Sequence, residues 1–393
     1  MKILITSDWY EPAVNGVVTS IKNLRTGLEA RGHEVRILTL AQTPRAANAG
    51  SDISYIGSVS VARVYPGARL RTPTAWRVEP ALLAWKPDII HSNCEFSTFH
   101  PACYLAQHLN VPLVHTWHTV YEDYAHYFNL GPRVGGQIAR ILGRRIADRV
   151  DCLIAPTEKT ARILQGYEID TPVRVIPTGI DLSRFGAVQD PEKVRHMRAQ
   201  LGIPEDHLVL ACIGRLAKEK NTEELLGFMT GLRDLPVTML LVGGGPYQQV
   251  LEAEADRLAI RDQVVFTGMV APQDIADYYR LGDLFICAST SETQGLTYLE
   301  ALACGLPLLC RADPCLDDMV LDGVNGWQYH SEEEFRAYLL HFLQHPELRA
   351  GLRQQALATA QRYSIENFAL QAENVYLEML RCPAGSCLQQ TGT

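Results

Sequence analysis

The sequence predicts an α/β chain of two doubly wound domains, each a parallel sheet covered by helices on both faces. Short apolar, β-branched runs alternate with amphipathic stretches along nearly its whole length. That is the pattern of buried strands joined by crossover helices. The alternation lapses once, in the polar, turn-rich stretch from Pro177 to Pro191, and resumes at Leu208. At 393 residues, 47% of them hydrophobic and 20% charged, the chain exceeds one ordinary domain and can fill two cores.

Strands are expected at Lys2–Thr6, Val35–Leu40, Ile89–Ser92, Val111–His115, Cys152–Pro156 and Val173–Pro177, each a short apolar run ending in polar or turn residues. A second set follows at Val209–Gly214, Val237–Gly243, Val264–Gly268, Leu284–Ala288 and Pro307–Cys310. Helical spacing of apolar residues marks Gly16–Arg31, Gln137–Asp148, Asn221–Gly231, Tyr247–Leu258, Asp274–Leu281 and Leu296–Cys304. The domains are expected at 1–180 and 181–363, with a last helix over 364–381 crossing back to the first. Ligands bind beyond the carboxyl ends of strands in such sheets, so two of them facing each other enclose an interdomain cleft.

Composition excludes a disordered or low-complexity chain. Met1–Thr6 is too short for a secretory leader, and no run of about 18 apolar residues could span a bilayer. A cytosolic protein is expected. The ten cysteines are scattered without histidines at ligand spacing, which argues for small core residues in a reducing compartment rather than zinc. Charge is uneven: residues 1–180 carry 19 Lys and Arg against 15 Asp and Glu, and residues 181–393 carry 17 against 29. Either the domains simply differ in composition, or the basic half has a surface role.

The most informative stretch runs from Ser289 through Glu292, Gly295, Leu296 and Glu300 to Pro307. A polar loop there leaves a strand and opens a helix at Leu296. Gly295 allows close approach to backbone N–H groups free to hold a phosphate. Glu292 sits outside the helix and Glu300 about 7–8 Å along it. Carboxylates on both sides of an anion site suit the hydroxyls of a sugar and a ribose flanking a diphosphate. Arg215 and Lys220, in a loop after another strand, could neutralise a diphosphate leaving group. The turn Leu241–Tyr247 is glycine-rich but lacks the dinucleotide and P-loop signatures. In the first half, Gly16 ends the loop from Asp8 ahead of a helix, and His118 follows a strand in a polar, aromatic-rich loop that reaches His126.

These stretches, with Val175–Ile180, resemble the retaining glycosyltransferases of family 4, which have two Rossmann-like domains in the glycosyltransferase B architecture. Within that family, His115–Tyr127, Thr267–Pro272 and Ser289–Glu300 resemble the 1,2-diacylglycerol 3-glucosyltransferases most closely. The resemblance implies a UDP-sugar donor and a retained α configuration. It assigns Glu300 to the ribose, Glu292 to the donor-sugar hydroxyls, Arg215 and Lys220 to the diphosphate, and His118 to the sugar near the reacting centre. The Asn15-Gly16 loop would close over the diphosphate. Many members have Gly-Gly there, so Asn15 is a departure.

No acidic pair stands at metal-ligand spacing, so no metal is required and no cofactor beyond the donor is expected. Arg63, Arg69, Arg71 and Arg77 form one basic segment; Arg133, Arg140, Arg144, Arg145 and Arg149 form another, with apolar residues at helical spacing between them. The second segment could lie on an anionic membrane, each charge worth about 1 kcal/mol near the headgroups. It could equally pack in the core with a solvated basic face. Nucleic acid is disfavoured, because the stripe is short and lacks stacking aromatics. The leading expectation is glucose transfer from UDP-glucose to diacylglycerol at the inner membrane face. A soluble acceptor, another glycolipid, sugar-nucleotide epimerisation and non-catalytic nucleotide-sugar binding are the alternatives.

Overall fold

The computed structural model describes residues 1–41, 52–61, 68–72, 80–121, 132–186 and 190–381, without the side chains of residues 132 and 133. Arg63, Arg77, His126, Cys382, Cys387 and the Arg133 side chain therefore lie outside the described residues. The chain divides into one unit of Met1–Gly179 with Ile365–Thr393, and a second of Ile180–Ser364.

The first unit holds β1 (Lys2–Ser7), β2 (Glu34–Leu40), β3 (Ile53–Ile56), the hairpin β4 (Ser58–Ser60) and β5 (Arg69–Arg71), then β6 (Ile89–Ser92), β7 (Leu113–Thr116), β8 (Cys152–Ala155) and β9 (Val173–Val175). Its helices are α1 (Gly16–Ala30), α2 (Pro80–Trp85), α3 (Phe99–Leu109), α4 (Pro132–Ala147) and α5 (Glu158–Gly166). The described sheet runs β3-β2-β1-β6-β7-β8-β9, parallel at every pairing. Alternation sends Ile3, Ile5, Val114 and Ile154 to one face and Leu4, Ile90, Leu113 and Leu153 to the other, so each face has its own core. Burying each such side chain contributes roughly 1.5–3 kcal/mol.

The second unit contains α6 (Leu182–Phe185), α7 (Pro191–Gln200), β10 (Leu208–Ile213), α8 (Thr222–Met229), β11 (Val237–Val242), α9 (Gln248–Arg257) and β12 (Val264–Gly268). It continues through α10 (Ile275–Leu281), β13 (Leu284–Cys287), α11 (Leu296–Ala303), β14 (Leu308–Arg311), β15 (Gly326–Tyr329), α12 (Glu332–Gln344) and α13 (Leu348–Gln361). Its sheet is also parallel, in the order β12-β11-β10-β13-β14-β15. The last helix, α14 (Ile365–Arg381), packs on α1 and belongs to the first unit. Tyr376 on its buried face meets His91 Nδ1 at 2.7 Å, fixing it to the sheet.

Both units are doubly wound, as the alternation indicates. In each, the chain builds outward from one strand and then returns to that strand's other side: β1 has β6 beside it, and β10 has β13. Loops leaving such neighbours diverge and open a crevice at the carboxyl edge. The described cysteines are all free thiols, most of them buried. No helix among the described residues is long and apolar enough to cross a membrane.

Candidate active site

In the second unit the switch point lies between β10 and β13, and the loops after them carry Arg215, Lys220 and Glu292. Lys220 Nζ donates to Glu292 Oε1 at 2.5 Å. Arg215 pairs with the nearly buried carboxylate of Glu219. The Glu219 carbonyl accepts from Ser291 Oγ at 3.1 Å, tying the two loops together. Two cations and two carboxylates thus share one sheet edge, held by loops that start far apart in the chain.

The glycine-rich turn after β11 shapes this arrangement. A Cβ on Gly243 would lie 2.0 Å from the Gly214 carbonyl oxygen, and one on Gly245 would lie 2.1 Å from that of Leu216. The turn therefore packs backbone to backbone against the Arg215 loop. Gly214 N donates to Val242 O at 2.9 Å and Leu216 N to Gly244 O at 3.0 Å. Its work is to position that loop, a role its sequence signature does not reveal.

At α11, Gly295 is the N-cap at φ 73° and supplies no capping side chain. The Tyr298 N–H donates to the Gly295 carbonyl at 3.1 Å, and no capping side chain meets the N–H groups of Leu296 and Thr297, which suit an anion. A Cβ here would stand 2.4 Å from the Tyr298 ring. Gly295→Ala is expected to destabilise the protein by about 1–3 kcal/mol, checked by thermal melting.

Glu300, on the first turns of α11, accepts from the buried Tyr279 hydroxyl at 2.7 Å. Burial raises its pKa to about 7, opposed by that hydrogen bond and by the Arg184 charge. Tyr279 fixes one carboxylate oxygen in place. No local sequence signal marks it for this, since it lies on α10, 21 residues away.

In the first unit, His118 follows β7 and its Nε2 lies 2.9 Å from Asn93 Oδ1. Burial lowers its pKa to about 4, so the ring is neutral near pH 7. Gly16 opens α1, and Asn15 before it is the N-cap, its side chain accepting from Val18 N at 2.9 Å. The departure from Gly-Gly therefore has a local purpose: a side chain caps the start of α1, whereas no side chain caps α11.

The basic helix α4 has two faces. Ala139, Ile146 and Ala147 are buried in the core, whereas Val134, Ile138 and Ile141 are 48%, 50% and 52% exposed. Arg145 is exposed beside them. Arg140 and Arg144 both pair with Glu168, and Arg144 Nε also donates to Tyr167 O at 2.7 Å. Two of the five arginines in that basic segment, Arg140 and Arg144, thus share one carboxylate. The core-packing reading holds for one face of this segment, and the other face is apolar and open.

Residues 14–184 match the family profile described as Glycosyltransferase Family 4, and residues 193–359 match Glycosyl transferases group 1. An alpha-monoglucosyldiacylglycerol synthase of Streptococcus pneumoniae is 35% identical over 385 residues, covering 97% of this chain and 86% of that protein. Its namesake from Acholeplasma laidlawii is 33% identical over 389 residues, covering 97% and 98%. The chain belongs to glycosyltransferase family 4. In fold, this glycosyltransferase resembles Anabaena Alr3699/HepE, solved in complex with UDP-glucose, with a TM-score of 0.73 at 18% identity. That likeness covers 96% of this chain and 100% of the other, and places the two units in the glycosyltransferase B fold.

Proposed function

We propose that this glycosyltransferase moves a hexose, glucose, from a UDP-sugar to the free hydroxyl of 1,2-diacylglycerol with retention of the α configuration. The observation that carries the reading is the donor-type edge of the second unit: Lys220 bonded to Glu292 beside the uncapped start of α11. The names of its two full-length relatives support the acceptor, and the UDP-glucose complex of a structural neighbour supports the donor.

In this reading the anomeric carbon–oxygen bond to the diphosphate breaks and UDP leaves. The acceptor hydroxyl attacks the same face, and its proton passes to a diphosphate oxygen. Arg215, Lys220 and the α11 N–H groups disperse the charge growing on UDP, the kind of preorganised electrostatics that usually dominates catalysis. Glu292 receives donor-sugar hydroxyls and Glu300 those of the ribose. His118, neutral near pH 7, orients the sugar rather than acting as the main base. The reading asks nothing of a metal or cofactor.

The open face of α4 supports a peripheral stay on an anionic bilayer, where Val134, Ile138 and Ile141 would enter the headgroup boundary beside Arg145. Ile138→Glu is expected to lower sedimentation with phosphatidylglycerol vesicles at least severalfold while leaving UDP binding intact. The overall reading is tested by incubating the protein with UDP-glucose and diacylglycerol in anionic mixed micelles and examining the lipid product by NMR. An α-glucosyl lipid is expected; a β-linked product would overturn retention, and a soluble glucoside would overturn the lipid acceptor.

A further inference from the structure

The loop after β6 grips the loop that carries His118. Asn93 and Glu95, two residues apart on the first loop, face His118 and Tyr121 on the second. Asn93 Nδ2 lies 3.4 Å from the His91 carbonyl, which can only accept, so its Oδ1 is the atom turned to His118 Nε2 at 2.9 Å. An amide oxygen only accepts as well. The ring proton of neutral His118 is therefore on Nε2, and Nδ1 is the acceptor nitrogen. The Tyr121 hydroxyl lies within electrostatic reach of Glu95, whose side chain is 5% exposed.

The gripping loop is itself fixed. Asp8, at the end of β1, accepts from Ser97 N at 2.8 Å and from Thr98 N and Thr98 Oγ1 at 2.7 Å. All of this lies at the switch point between β1 and β6, where ligands meet this kind of sheet. Asn93 is buried, as a group that orients another side chain rather than meeting solvent.

We propose that Asn93 is a positioning residue that holds His118 in its Nε2–H form, so that the ring meets a donor-sugar hydroxyl as a hydrogen-bond acceptor through Nδ1. The inference rests on the reading of His118 as a sugar-orienting group. The titratable groups acting on His118 are Glu95, which favours its protonation, and His115, which opposes it. His91 also lies within electrostatic reach. Burial outweighs them and keeps the ring neutral. A carboxylate in place of the Asn93 amide would accept the same N–H but favour the imidazolium. The acceptor nitrogen would then be lost at a higher pH.

The experiment measures kcat at saturating UDP-sugar from pH 5 to 9 for wild type, His118→Ala, Asn93→Ala and the near-isosteric Asn93→Asp, with melting temperatures for each. Asn93→Ala is expected to lose about 10- to 100-fold in kcat, the order that a misplacement of about 1 Å brings, with UDP affinity unchanged. Asn93→Asp is expected to fold normally and to show a new acid limb, its kcat falling as pH drops through the raised His118 pKa. A merely structural asparagine would not move that limb. Should His118→Ala keep wild-type kcat, the underlying reading of His118 fails and the inference with it. Should His118→Ala be impaired while both Asn93 variants keep the wild-type kcat and profile, the reading of His118 survives and the positioning role is overturned.

Discussion

Replacing Lys220 with alanine is expected to lower kcat by about two to three orders of magnitude, the effect of removing one preorganised group aimed at developing charge. UDP affinity should fall by about tenfold or less, because the proposed reading has ground-state UDP also held by Arg215 and the α11 start. The split follows from differential binding: only contacts that strengthen in the transition state raise kcat. Lys220 contributes in a second way, since its bond to Glu292 fixes the carboxylate assigned to the sugar hydroxyls. Its loss leaves Glu292, only 14% exposed, without that cation. Lys220→Arg should rescue little, because a planar fork does not substitute for a compact ammonium in one short contact. Steady-state kinetics with calorimetric UDP titration separates the two quantities. Equal losses in both would mean that Lys220 only binds.

The second large effect is a pH dependence of donor binding. The Glu300 carboxyl has its pKa raised to about 7 by burial. If the ribose hydroxyls donate to the carboxylate, the ionised form is the binding form. Affinity for UDP should then be flat above about pH 8 and weaken as pH falls through 7, approaching tenfold per unit below it. The sign is set by the charge: a pKa raised above the ordinary carboxylate range means that protons compete with ligand near neutrality. Glu300→Gln should abolish the dependence and bind weakly at every pH. Tyr279→Phe removes the one hydrogen bond holding the pKa down, so its midpoint should move upward. Calorimetry between pH 5.5 and 8.5 reads all three. A wild-type affinity independent of pH would detach Glu300 from the ribose.

The period and composition of the strands made the two parallel sheets legible, because a strand buried on both faces has to be continuously apolar. The short β4–β5 hairpin is harder to see, since its residues are half-exposed and polar on alternate sides. The edge strand β15 escaped for a related reason: Gly-Trp-Gln-Tyr mixes polar and aromatic residues. At the site, Glu292, Gly295 and Glu300 were visible together because they share one strand–loop–helix segment. Lys220 and Glu292 are 72 residues apart, and their contact is a product of the switch point, not of local pattern. The same holds for Asn93 with His118 and for Tyr279 with Glu300, pairs joined across elements. The glycine-rich Gly243–Gly245 turn matches no nucleotide signature, and its glycines serve a backbone approach that only the neighbouring loop explains. Asn15, a departure by resemblance, is an ordinary helix cap by geometry.

UDP release from UDP-glucose, followed with and without diacylglycerol in anionic mixed micelles, tests the central claim most directly. The account expects slow release from donor alone and a strong increase on adding diacylglycerol, with one glucosyl lipid formed per UDP released. Release that diacylglycerol does not change, or donor turnover that yields an isomerised nucleotide sugar, would contradict it.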